Sequence, residues 1–181
     1  MHPPAFWQNP KSDPGLLARL LSPLAALWAF AGKRRLQQGK WEKLPVPVIC
    51  VGNVNIGGTG KTPTVIALVG HLKKRGFNPH VVSRGYGGSM AGPVRVNERL
   101  HKASEVGDEP ILISSFCPVW VARDRAAGGR AAVGAGADIV VLDDGFQNPG
   151  LVKDVSLIVV DAVTGFGNER VFPAGPLREP L

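Results

Sequence analysis

Cysteine is scarce. The 181 residues hold two, Cys50 and Cys117, far apart and in no metal-ligand spacing. That excludes a disulfide-stapled scaffold and a thiolate zinc site, and it suits buried thiols in a reducing compartment. Histidine offers no alternative metal centre, since His71, His80 and His101 share no ligand spacing. Repeats and low-complexity tracts are absent, which argues against solenoids and disordered arrays. Acid is in short supply: 14 Asp and Glu face 21 Lys and Arg, for a net charge of +7. Such a surface favours anionic partners, namely phosphates, nucleic acid or acidic lipid. Only the net charge speaks for nucleic acid, so none is expected, and nothing in the sequence indicates a protein partner. At 44% hydrophobic and 19% charged, the composition is that of one globular α/β domain with a real core.

No apolar run is long enough to cross a bilayer with ease. "GLLARLLSPLAALWAFAG" runs from Gly15 to Gly32, broken by Arg19, Ser22 and Pro23. As a helix, Gly15 to Ala31 would span about 26 Å, against roughly 30 Å of hydrocarbon. Lys33, Arg34 and Arg35 follow, and Trp7, Trp28 and Trp41 flank the run, as suits a membrane interface. Three readings stand: a membrane anchor, spanning or interfacial; an amphipathic helix packed on the domain; or a signal peptide cleaved near "AFA" at Ala29–Ala31. The last conflicts with a nucleotide loop placed directly after it. By the positive-inside rule the basic end would be cytoplasmic. Residues 1–44 are therefore expected to form an N-terminal segment with a membrane-associated helix at about 15–31.

From Pro45 onward, short β-branched runs alternate with helical ones. "VPVICVG", "PHVVS", "PVWVA", "DIVVLDDG" and "VSLIVVDA" read as strands. "TPTVIALVGHLKKRG" reads as a helix with Pro63 in its first turn, Val65, Leu68, Val69 and Leu72 on its apolar face, and Gly76 as its stop. "RDRAAGGRAAVGAGA" reads as a small-residue helix weakened by its glycines. Alternation of this kind predicts a mostly parallel sheet with flanking helices, in residues 45–181, with sites at the carboxyl ends of the strands. "GFGNERVFPAGPLREPL" is rich in Gly and Pro and has no closing helix, so it reads as a tail or as the edge of something longer.

The most informative turn is "GNVNIGGTGKTP". It joins a strand to a helix and ends in Gly60, Lys61 and Thr62, as a phosphate loop does, but Asn55 stands where the first glycine is expected. Asn55, Ile56, Gly57, Gly58, Thr59, Gly60, Lys61 and Thr62 are the candidate nucleotide contacts. The glycines let backbone N–H groups converge on phosphate oxygens, and the helix N-terminus adds positive potential. Lys61 would reach the terminal phosphates, and Thr62 would ligate Mg²⁺.

Asp143 and Asp144 end a buried strand, where acids can hold Mg²⁺; a solvated turn is the plainer reading. Asp161, alone at another strand end, is the weaker candidate. "VGDEP" at Val106–Pro110 admits two readings, Asp108 as a helix cap or as a catalytic acid–base group. Arg84 and Tyr86, in "SRGYGG", could clamp an anion or a sugar, or simply form a turn.

Taken in order, "GNVNIGGTGKTP", "VVSRGYGG", "VGDEP", "RDR", "VLDDGFQ" and "GFGNERVFPAGPLREP" resemble the tetraacyldisaccharide 4′-kinases of the lipid A pathway. The resemblance runs from about Gly15 to Leu181. It implies a P-loop NTPase-like fold preceded by a membrane-anchoring helix. It implies transfer of the γ-phosphate of ATP to the 4′-hydroxyl of a tetraacylated disaccharide 1-phosphate, giving lipid IV-A at the cytoplasmic face of the inner membrane. Its catalytic base matches Asp108, beside Lys61. Its Mg²⁺ and ATP residues match Lys61, Thr62, Glu109, Asp143 and Asp144, and Arg84, Tyr86, Gln147 and Arg178 are candidate substrate contacts. It further implies a second lobe beyond Leu181 carrying a histidine that partners the base, so the chain alone is expected to be inactive. The rival reading is a membrane-associated regulatory ATPase with a deviant Walker-A loop. Ile56, where that loop has an extra lysine, counts against it, and no N-K-x-D motif supports a GTPase.

Overall fold

The structure is a computed structural model that describes residues 3–181. By contact it divides into two compact units. The larger comprises Gly39–Gly52 and Lys61–Leu157, and the smaller comprises Met1–Gln38, Asn53–Gly60 and Ile158–Leu181.

The larger unit carries the sheet. Its strands are β1 (Val48–Gly52), β2 (Pro79–Ser83), β3 (Val94–Arg95), β4 (Val119–Val121), β5 (Ile139–Asp143) and β6 (Val155–Ile158, the last residue lying across the unit boundary), in the spatial order β3-β4-β2-β5-β1-β6. β1 with β5, β5 with β2 and β2 with β4 are parallel, so their carboxyl ends share one edge of the sheet; β3 is antiparallel to β4. The two-residue β3 is too short to carry a periodicity and was not expected.

Alternation along the strands builds two apolar layers. Val48, Cys50, Val82, Val140 and Leu142 face α5 (Arg125–Gly134) and pack with Ala126, Ala132, Leu44 and Leu151. Val51, Val81 and Val141, wholly buried, point the other way, where α2 (Lys61–Lys74) lies against β1 and β5 through Val65, Val69 and Leu72. Each such side chain contributes roughly 1.5–3 kcal/mol on burial. The glycines expected to weaken α5 are used for close approach. A Cβ at Gly128 would sit 2.7 Å from Val82 Cγ1, and one at Gly129 2.7 Å from Leu44 Cδ1. Asp124 caps the helix, accepting from the amides of Ala126 and Ala127.

Two short helices complete this unit, α3 (Ala103–Val106) and α4 (Asp108–Ser114). β6 forms a strand as expected, and all four of its residues are exposed at the sheet edge. An apolar run reports a preference for cover, not whether a neighbouring layer supplies it.

In the smaller unit a short 3-10 turn (Ala5–Gln8) precedes α1, which runs Gly15–Gln37. The expected helix ended near Ala31; the observed one continues through Gly32 and the basic residues, since a single glycine costs a helix only about 1 kcal/mol and Lys, Arg, Leu and Gln are good helix formers. At 23 residues it is about 34 Å long, enough to cross the hydrocarbon layer. Its best 18-residue window has mean hydropathy 1.4 and is 11% buried. Among the small residues, Ala18 and Ala25 are buried, and Ser22, Ala25, Ala26 and Ala29 line an open groove of about 230 Å³ with Arg170, Val171 and Ala174. Large ones face outward, with Leu20 66%, Leu27 65% and Phe30 62% exposed.

The Gly- and Pro-rich terminal stretch is not a loose tail. Asn168, Ala174 and Leu177 are buried, Asn168 Nδ2 donates to the carbonyls of Phe6 and Ala174, and Trp7 packs edge-on against Phe172. Turn residues satisfied by their own backbone can fold tightly without helix or strand.

Candidate active site

In the larger unit the carboxyl ends of β1, β2 and β5 converge. Val51 of β1 pairs in register with Asp143 of β5. Ser83, closing β2, donates its hydroxyl to Asp143 Oδ2 at 2.9 Å. Asp143 Oδ1 is buried with no partner. A buried carboxylate left half satisfied is costly, so the group is either protonated or awaiting a cation. Burial is the main cause that raises its pKa from 3.8 to about 6; the charges of Glu109 and Asp144 add to this, while Ser83 and Arg125 oppose it.

Arg125 is itself buried at the start of α5. It donates to the carbonyls of Ala122 at 2.8 Å and Asp143 at 3.3 Å, and burial lowers its pKa to about 10. Neither Ser83 nor Arg125 was expected to act here. The available signals were weak: a serine closing a strand, and the second arginine of "RDR" just inside a capped helix.

Asp144 follows at φ +50, a conformation uncommon for any residue but glycine. The turn sets its carboxylate 3.9 Å from Lys61 Nζ, and the Lys61 side chain is only 10% exposed. Lys61 and Thr62 open α2. The Thr62 hydroxyl donates to Glu109 Oε1 at 3.2 Å, which ties the start of α2 to the start of α4. Thr62, Glu109, Asp143 and Asp144 thus lie on elements whose ends meet, as do Lys61 and Asp144.

Asp108 is the first residue of α4 and is exposed. The capping reading fails, because the N-cap is Gly107 and no side chain caps the helix. Gly107 has φ +90 and a Cβ there would sit 2.6 Å from the Tyr86 carbonyl, so only glycine fits. The segment before Asp108 lies against the Arg84–Gly88 loop: Met90 N donates to the Glu105 carbonyl at 2.9 Å, and Ser89 N to that of Ser104 at 3.0 Å. The backbone of Gly85 and Tyr86 lies against Gly107, next to Asp108, and the Tyr86 side chain is 88% exposed. Gln147 is half-buried in the turn that follows β5.

The loop Asn53–Gly60 belongs to the smaller unit. Its first half is pinned: Asn55 pairs with Leu177 as an isolated antiparallel bridge, and the Asn55 amide donates to the Gly165 carbonyl at 2.7 Å. Its second half is open, with Gly57 at φ +123 and Gly60 at φ +80 and nothing within 4 Å of a Cβ at Gly57, Gly58 or Gly60. Ile56 is partly exposed and Thr59 Oγ1 is buried without a partner. Arg178 donates its backbone N–H to the Val54 carbonyl. Asp161 instead closes its own turn, accepting from Val163 and Thr164. His80 is buried and accepts from Trp120 Nε1, a structural role.

Among the described residues, no three His, Cys, Asp or Glu side chains form a metal cage. That suits Mg²⁺, which takes one or two carboxylates and completes its shell with water and phosphate. Oxygens that could serve are the unpartnered Oδ1 of Asp143 and the Thr62 hydroxyl, with the carboxylates of Glu109 and Asp144 nearby.

A mostly parallel sheet, a glycine-rich loop from β1 into α2, and a buried acid closing the adjacent strand β5 define the P-loop kinase fold. The crystal structure of LpxK from Aquifex aeolicus in complex with ATP superposes with a TM-score of 0.78 at 34% identity, over 91% of this chain and 55% of that one. The chain belongs to the family described as tetraacyldisaccharide-1-P 4′-kinase, which matches residues 17–181. The tetraacyldisaccharide 4′-kinases of Dinoroseobacter shibae and Jannaschia sp. are 62% and 56% identical to it over all 181 residues. That of Rhodospirillum centenum is 56% identical over 182 aligned positions. The chain spans about half the length of these relatives, 54% of each.

Proposed function

We propose that this chain is the nucleotide-binding half of a kinase that moves the γ-phosphate of ATP to the 4′-hydroxyl of a tetraacylated disaccharide 1-phosphate, giving lipid IV-A. The observation that carries the reading is the buried, half-satisfied Asp143, in register beside the strand that delivers the glycine-rich loop. The family match supplies the chemical class. Phosphoryl transfer needs positioning and charge neutralisation more than covalent help. Backbone N–H groups of Gly57–Gly60 and the cation of Lys61 would hold the phosphates. Mg²⁺ would be held by Thr62 and Asp143, with Glu109 and Asp144 supporting, and would neutralise the charge developing on the transferred group. Asp108, exposed at a helix start and free of capping duty, would take the proton from the attacking sugar hydroxyl. Arg84, Tyr86, Gln147 and Arg178 are the acceptor contacts of this reading.

The acceptor is a membrane lipid. The outward leucines of α1 and the basic Lys33, Arg34 and Arg35 support seating on the cytoplasmic face of the inner membrane, with each basic residue contributing about 1 kcal/mol near acidic lipid. Residues 45–181 act in this scheme as one lobe of a two-lobed enzyme.

The test is radiolabelled ATP with a lipid A precursor, given to an enzyme of the relatives' full length and to residues 1–181 alone. Labelled lipid is expected from the former only, with Mg²⁺–ATP binding by both. Phosphate release without labelled lipid from the full-length enzyme would overturn the reading in favour of an ATPase.

A further inference from the structure

The phosphate loop is held by a segment far from it in sequence, and that segment is held in turn by α1. We propose that Gly165–Arg178 is a positioning frame for the loop, with Asn55 and Trp28 as the two side chains that fasten it. The proposal rests on reading Asn53–Gly60 as part of a nucleotide site.

Three hydrogen bonds join frame and loop. Asn55 Nδ2 donates to the Gly165 carbonyl at 2.7 Å, Ile56 N to that of Pro176 at 2.7 Å, and Arg178 N to that of Val54 at 2.6 Å. They bracket one short antiparallel pairing of Asn55 with Leu177, whose side chain is wholly buried. The frame closes on itself: Phe172 N donates to the Leu177 carbonyl, and Leu177 N to that of Arg170. On its far side Trp28 Nε1 donates to the Arg178 carbonyl at 3.2 Å, and the indole stacks edge-on against Phe172 at 5.1 Å. One residue, Arg178, thus accepts from α1 and donates to the loop.

The division of the loop explains what a frame would do. Val54–Ile56 are bonded to the frame, whereas Gly57, Gly58 and Gly60 have no side chains to pack, and the Gly57 carbonyl accepts from Asn53 Nδ2 at 3.2 Å within the loop. A glycine-rich stretch loses much entropy on ordering around a phosphate. Fixing the residue just before it lowers that cost, which tightens binding without a new contact to the ligand. Asn55, 7% exposed and turned toward Gly165, is a positioning residue here.

The experiment uses the 181-residue chain in detergent: wild type, Asn55→Ala, and Trp28→Phe, which keeps the ring but removes the N–H. Amide exchange is followed in peptides covering 53–60 and 170–179, calorimetry gives the affinity for a non-hydrolysable ATP analogue with Mg²⁺, and melting checks the fold. Exchange at Ile56 and Arg178 should rise in both variants, and affinity should fall roughly two- to tenfold, the net worth of one hydrogen bond, with melting little changed. Unchanged exchange in both variants overturns the frame. Faster exchange with wild-type affinity overturns its positioning role. If the wild type binds no nucleotide, the loop reading itself fails, and the exchange measurement still decides the frame. Should Asn55→Ala not fold, Trp28→Phe carries the test.

Discussion

Replacing Asp143 with asparagine should make the metal-free protein more stable and the enzyme inactive. Asp143 sits 1% exposed, with one oxygen held by Ser83 and the other unpartnered. Its pKa is about 6 when folded and 3.8 in the reference state. A carboxyl raised by folding favours the fold only while protonated. Its contribution is therefore fully present below pH 3.8 and lost as pH rises through about 6. The gap of about 2.2 at 1.36 kcal/mol per pH unit makes the loss roughly 3 kcal/mol by pH 8. Arg125, with a pKa near 10, stays charged across this range and does not reverse the trend.

Asparagine keeps the shape and an oxygen for Ser83, and has no charge to bury. In urea titrations with EDTA, the variant should match wild type near pH 4 and exceed it by up to about 3 kcal/mol at pH 8. In melting this is roughly 6–12 °C for a chain of this size. Mg²⁺ with nucleotide should narrow the difference, because wild type regains a partner for its charge and the variant does not. Equal stability of the two proteins from pH 4 to 8 would refute the argument, as it would mean that Asp143 finds a counter-charge in the folded state.

Lys61→Ala in the full-length enzyme should lower turnover at least about a hundredfold, measured by labelled lipid, since the terminal phosphate loses its point charge. Leu20→Gln, Leu24→Gln and Leu27→Gln together should move the protein from the membrane to the soluble fraction with little change in melting, because these side chains are 66%, 55% and 65% exposed; retention in washed membranes would count against α1 as the anchor. Cys50 and Cys117, buried and with thiols pushed up to about 11, should resist a thiol reagent at pH 8 until the protein is unfolded. Gly92→Ala should destabilise the larger unit by several kcal/mol in urea, because Gly92 has φ +70 and a Cβ there would lie 1.9 Å from the Val121 carbonyl oxygen.

Much of the sheet was legible because β-branched runs end in glycine or acid, which marks both a strand and its carboxyl end. Asp143 and Asp144 sit at or just after such an end, and Lys61 and Thr62 open the helix that follows the glycine-rich loop after another, so their placement follows from periodicity plus the strand–loop–helix order. Ser83 and Arg125 were not legible. A serine at a strand end and an arginine in a small-residue helix gain meaning only when β2 is seen next to β5 and α5 is seen to start beside Asp143. The end of α1 was placed too early because the apolar run stops at Ala31, whereas the helix goes on through exposed Lys, Arg and Gln, whose helix propensity does not depend on being apolar. β6 was legible as a strand, but its exposure was not, because an apolar run does not report whether a neighbouring layer covers it.

Asn55 at the position of the expected first glycine poses a question that the geometry answers. A glycine is required where the backbone must enter positive φ or pass close to another group. In this loop those demands fall on Gly57 and Gly60, at φ +123 and +80. Asn55 meets neither. Its backbone pairs with Leu177, a conformation open to any residue, and its side chain has a use that glycine could not serve, the bond to Gly165. The departure from the common motif therefore moves the start of the flexible stretch two residues later and replaces a turn with an anchored bridge. In the proposed phosphate site the glycines and Lys61 at the helix N-terminus are untouched by that departure.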